Sequence, residues 1–124
     1  MDTVWLTDPR TYFTGDYDMW AGHDGPIRYC TGFLAPMSSS AITEFLDQWK
    51  SSLEIPDINQ SMFNILIKKS TVKHVGLPRN NFPSGDLYFD GNKHTDVVVV
   101  HNNFIEGHDE KVERFKKAEL WRTN

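Results

Sequence analysis

One cysteine among 124 residues, Cys30, leaves the chain without an internal disulfide. It lies within a stretch that reads as a strand, where a buried, inert thiol is the ordinary state. No run approaches the roughly 18 apolar residues that a membrane span needs. The first ten residues, MDTVWLTDPR, have no basic segment leading into an apolar one, so no signal peptide is expected. A basic excess is also missing. Thirteen Lys and Arg stand against 17 Asp and Glu, a net charge of −4, and nucleic acid needs a basic face that this chain lacks. There is no Gly-x-Ser-x-Gly elbow, phosphate-binding Gly-rich loop or dinucleotide fingerprint, which excludes the common signatures of hydrolases and nucleotide-binding folds. Repeats, low-complexity tracts and linkers are absent too. We therefore expect residues 1–124 to form a single domain large enough to bury a core.

What the chain does have is aromatic residues, 13% of the total, with 39% hydrophobic and 24% charged residues overall. DTVWL at 2–6 reads as a strand ended by the turn Thr7-Asp8-Pro9, and IRYCTGFLA at 27–35 as a second strand. Between them, 14–26 reads as a loop, with three glycines and three aspartates. Ser38, Ser39 and Ser40 offer an N-cap to a helix over about 41–53, where Ile42, Phe45, Leu46, Trp49 and Leu53 make one apolar stripe. Asp57 with Gln60 three residues on has the relation of a capping box at a second helix, whose inward side is Met62, Phe63, Leu66 and Ile67. Short strands are expected over 72–77 and at Leu87–Phe89. Val97–Val100, apolar on both faces, predicts a central, covered strand. A last helix covers about 109–119, with Val112 and Phe115 inward and Lys111, Arg114, Lys116 and Lys117 on a charged face. The order β, β, α, α, β, β, β, α predicts an α/β fold, a mixed β-sheet flanked by about three helices.

Four stretches stand in one order: DTVWLTDP, YCTGFLAP before an amphipathic helix, INQSMFN followed by LPRNNFPSGDLYF, and VVVVHNNFIEGHDEKVERFKKAELW. Together they resemble the nucleotide-diphospho-sugar transferases, metal-dependent glycosyltransferases of the arabinosyl-, xylosyl- and galactosyltransferase type. The resemblance covers nearly the whole chain and implies the C-terminal half of that fold. It implies that Asp2 is the second aspartate of an Asp-x-Asp motif, with the uridine-binding half outside this chain. By the same resemblance, Asp2 and His101 are metal ligands for a divalent cation, Mn²⁺ or Mg²⁺, at the donor diphosphate. Carboxylate and imidazole both suit such an ion, and two protein ligands imply a weak site. His101 has an alternative reading as a hydrogen-bonding end to its strand.

The resemblance further places Asn102 and Asn103 in the polar turn that contacts the donor, or that simply shapes the chain there. Asp57 and Gln60 fall near the sugar and acceptor, as candidate catalytic residues. Asn59 supplies an amide where a carboxylate would serve chemistry better, and Gln60 keeps its capping explanation. Trp20 and Asp24 fall in the acceptor loop, where the indole could stack on a sugar face; the other reading of that loop is a solvated acidic segment. His94, His101 and His108, seven residues apart, do not share one helix face and lack a nearby thiolate, which argues against structural zinc.

Two functions follow. One is transfer of a sugar from a nucleotide sugar to a glycan or glycoprotein acceptor, in the Golgi lumen by resemblance. The other is a non-catalytic module derived from that fold that binds carbohydrate or protein. A partial fold exposes a sheet edge and apolar face, so a homo-oligomer is expected in either case.

Overall fold

The computed structural model describes residues 2–53, 59–92 and 94–121. The chain divides into two compact units. One contains residues 1–10 and 78–124, and the other contains residues 11–77.

In the second unit the chain forms β2 (Met19–His23), β3 (Tyr29–Pro36), α1 (Ser40–Ser51), α2 (Asn59–Lys69) and β4 (His74–Gly76). The strands make a three-stranded mixed sheet in the order β3-β2-β4, antiparallel between β2 and β3 and parallel between β2 and β4. β2 was not expected, because its sequence was read as part of a loop. It sits between two neighbours, and its first four residues are buried. Such a strand shows no polar–apolar alternation to betray it, and Gly15, Gly22 and Gly25 around it look like turn residues. The register shifts between Ala21 and Gly22, where Gly22 pairs with Cys30 and Ala21 with Leu34, so β3 carries the extra residues of a bulge.

Ser39 caps α1 as the serine run suggests, its hydroxyl accepting from Ile42 N at 3.2 Å. Ile42 and Phe45 pack with Met19, Phe63, Ile67 and Val72 in one cluster, with Trp49 beside it. Burial of each large side chain here stabilises by about 1.5–3 kcal/mol. Leu46 and Leu53, assigned to the same apolar stripe, are instead exposed.

The first unit begins with β1 (Thr3–Trp5), followed after residue 77 by α3 (Gly85–Tyr88), β5 (Val99–His101) and α4 (His108–Lys117). β1 and β5 pair antiparallel, Thr3 opposite His101 and Trp5 opposite Val99. Val98, Val99 and Val100 are buried, as their run predicted. β5 is flanked on its other side by the chain at 81–83: Val98 N donates to Asn81 O at 2.7 Å and His101 N to Pro83 O at 3.1 Å. Leu87–Phe89 does not form a strand. Ser84 has extended geometry, and Asp86 stands in the first turn of a short helix, where a carboxylate suits the N-terminal dipole.

The described residues thus form an α/β structure of four helices. The strands divide between two sheets, where the element order suggested one. Among the described residues no helix is long and apolar enough to cross a membrane.

Candidate functional site

The sequence-predicted residues fall into two constellations, one per unit. In the first unit they lie where β1 begins and β5 ends, beside α4. Asn102 N donates to Asp2 O at 2.7 Å, which continues the ladder by one rung. The Asp2 carboxylate accepts from Lys111 Nζ on α4 at 2.8 Å. That hydrogen bond is the main reason its carboxyl is held below the usual aspartate value, and the nearby His101 also favours the ionised form. Asp2 is therefore a carboxylate at neutral pH. His101 is on the adjacent rung, opposite Thr3 and half-buried at the strand end. Among the described residues no three His, Cys, Asp or Glu side chains gather closely enough to hold a metal by themselves.

The turn after His101 is braced from three sides. Asn102 is fully buried. Its Nδ2 donates to Lys111 O at 2.9 Å, and its Oδ1 accepts from Arg114 Nη1 at 3.1 Å. Arg114 also donates to Asn103 O at 3.0 Å, while Asn103 Oδ1 accepts from Gly85 N at 2.6 Å. A Cβ on Gly85 would run into the Asn103 carbonyl, so only glycine lets the start of α3 approach this closely. With both ends of its amide engaged inside the unit, Asn102 holds the turn that follows His101; a donor contact from its side chain has no room. Asn103 uses its side-chain oxygen on α3.

In the second unit, Asp24 and Gln60 meet directly. Gln60 Nε2 donates to Asp24 Oδ2 at 2.6 Å, and Gln60 Oε1 accepts from Thr31 N at 3.2 Å. The Gln60 side chain thus joins α2 to the 24–28 turn and to β3. Asp57, its proposed capping partner and the other catalytic candidate, lies outside the described residues. Trp20 departs from its expected place. It is 5% exposed and packs near Phe13 and Tyr17, its Nε1 donating to Thr14 O at 3.0 Å. An indole used this way in the core of β2 offers no face to a sugar.

Four contributors escaped the sequence reading. Lys111 and Arg114 looked like solvated charges on α4. Their spacing of three residues, which puts both on one side of a helix, was the available signal. Asn64, amid the apolar residues of α2, clamps the backbone of Tyr29: Oδ1 accepts from Tyr29 N at 2.8 Å and Nδ2 donates to Tyr29 O at 2.9 Å. His74 meets the Tyr29 hydroxyl through Nδ1 at 2.8 Å. Burial lowers the His74 pKa and is the larger cause raising that of Tyr29.

Comparison with known proteins adds three findings. The family model for nucleotide-diphospho-sugar transferases matches residues 1–115. UDP-D-xylose:L-fucose alpha-1,3-D-xylosyltransferase 3 of Arabidopsis thaliana is 31% identical over 98% of this chain and 41% of its own length. UDP-D-xylose:L-fucose alpha-1,3-D-xylosyltransferase 1 of the same plant is 35% identical over 59% of the chain and 22% of its own length. The chain thus spans less than half of the curated relatives it matches. No solved structure matches it.

Proposed function

The chain belongs to the nucleotide-diphospho-sugar transferase family, and from that premise we propose that it serves the transfer of a sugar from a nucleoside-diphosphate donor to a glycan acceptor, with Asp2 and His101 binding a divalent cation at the donor diphosphate. What supports this reading is the position of an ionised Asp2 just before Thr3, the partner of His101 at one end of the β1–β5 ladder, close enough for the His101 charge to favour the carboxylate. A carboxylate and an imidazole suit Mn²⁺ or Mg²⁺, and phosphate oxygens and water would complete the sphere. When bound, such a cation offsets the charge that grows on the leaving diphosphate.

The chain's own residues then divide the work. Asp2 would hold the cation with the carboxylate that now accepts from Lys111, and the Lys111 ammonium beside it would favour a phosphate oxygen. Asn102 and Arg114 keep the turn after His101 fixed, so the imidazole is held at the strand end. In the second unit, the Asp24 carboxylate, oriented by Gln60, is the acceptor-side group and accepts a hydrogen bond from a sugar hydroxyl. The relatives' names make UDP-xylose and L-fucose the first donor and acceptor to test. Family resemblance makes the Golgi lumen the proposed compartment.

Thermal stability tests this directly, because a ligand that binds only the folded state must raise the melting midpoint. UDP should raise it when Mn²⁺ is present, and His101→Ala should abolish that rise without unfolding the chain. A rise with free sugars, combined with none for UDP and Mn²⁺, would instead favour a non-catalytic carbohydrate-binding module.

A further inference from the structure

The charged face of α4 is not uniformly solvated. Asp109, Glu113 and Lys117, four residues apart and therefore on one side of the helix, line a cavity of about 720 Å³ together with Arg114. Tyr88 and Phe89 supply its aromatic lining. Both rings are fixed by their neighbours. Tyr88 stacks on His94 with centroids 5.3 Å apart, and Phe89 meets Phe115 edge-on at 6.3 Å. The Arg114 guanidinium lies 4.8 Å from the centre of the Phe89 ring, a cation–π contact that also sets where its remaining donors point.

The chemistry of the lining discriminates between ligand classes. An anion would meet three carboxylates, those of Asp109, Glu110 and Glu113, against the two cations Arg114 and Lys117. An apolar ligand would cover the aromatic floor but leave the exposed charged rim of Asp109, Glu110, Glu113 and Lys117 without a partner. A neutral polyhydroxyl ring fits both demands. Its hydroxyls donate to carboxylates and accept from Lys117 and Arg114, and its C–H groups rest on aromatic carbon, whose ring faces carry negative charge density. The volume lies in the range of about 300–1,000 Å³ typical of small-molecule sites.

We propose that this cavity between α4 and the end of α3 is a carbohydrate subsite for a neutral pyranose or short oligosaccharide. Arg114 belongs to the cavity and also braces the turn after His101, so the bound sugar lies beside that turn. The choice of a sugar rests in part on the sugar-transfer reading above, but the binding event is independent of metal and nucleotide.

Amide chemical-shift mapping of the full chain separates the two. D-Xylose and L-fucose, titrated without metal, should give saturable shifts concentrated at Phe89, Gly91 and Arg114. Glu113→Gln combined with Lys117→Met, both exposed rim positions, should weaken binding at least about fivefold, the loss expected when a hydrogen bond or two is removed. Tyr88→Leu should weaken it as well while the melting point reports that the fold persists. Sugar shifts that scatter over the surface, or that all three substitutions leave unchanged, overturn the assignment. So does tighter binding of glucuronate than of the neutral sugars. If UDP with Mn²⁺ shifts His101–Asn103 and sugars leave the cavity silent, the subsite fails and the donor reading stands; cavity shifts with a silent turn give the reverse.

Discussion

Asn102→Ala should be the most informative single change in the first unit. The side chain is fully buried and makes two hydrogen bonds, one to Lys111 O and one from the charged Arg114. A neutral bond contributes about 0.5–1.5 kcal/mol and one to a charged group about 1.5–3 kcal/mol, so truncation should destabilise by about 2–4 kcal/mol. For a small unit this is a fall of about 8–32 °C in melting temperature. Arg114→Met removes the same bond from its other side, and also the contacts to Asn103 O and the Phe89 ring. Because the two residues share a bond, the double variant should cost less than the sum, with a coupling of about 1 kcal/mol or more. Denaturant unfolding of wild type, both single variants and the double variant gives the cycle. Additivity within about 0.5 kcal/mol, or a loss below that figure for Asn102→Ala, would refute the claim that this pair braces the turn.

The remaining expectations are narrower. Asn64→Ala should destabilise the second unit by about 2–4 kcal/mol, since it leaves the Tyr29 N–H and C=O without their partner; hydrogen exchange at Tyr29 should accelerate with it. Gly85→Ala should disturb amide shifts at Asn103 and lower the melting point, because the new methyl meets a backbone carbonyl that cannot rotate away. Burial lowers the His74 pKa below 6.5, so the unfolded chain binds more protons in the window just below that value. The stability His74 contributes is present above pH 6.5 and is lost as pH falls toward its folded value. Melting curves between about pH 7 and pH 5 should therefore drop more steeply for wild type than for His74→Gln.

Much of the fold was legible because helices advertise themselves. The Ser39 cap, the Phe45–Trp49 spacing and the Phe63–Ile67 spacing all carry a helical period. The short elements did not. β2 is buried along its first four residues and so lacks alternation, and Leu87–Phe89 looks extended until Ser84 and Asp86 are read as a helix start. The site was half legible. Asp2 and His101 lie about 100 residues apart in sequence, and only the order of motifs shared with a family could associate them; the ladder that brings their strands together has no local signature. Trp20 misled because an aromatic in a glycine-rich stretch reads as an exposed platform, when the stretch is a covered strand. Lys111 and Arg114 misled in the opposite sense, as charges whose partners are the distant Asp2, just before β1, and the turn after β5.

The proposal at the centre of this account is that Asp2, just before β1, and His101, at the end of β5, would hold one divalent ion. Paramagnetic broadening by Mn²⁺, followed residue by residue in the presence of UDP, tests it most directly. Signals of Asp2, Thr3, His101 and Asn102 should vanish first at substoichiometric metal, and His101→Ala should restore them. Broadening that spares these residues and centres on another acidic surface, or that persists undiminished in His101→Ala, would contradict the account.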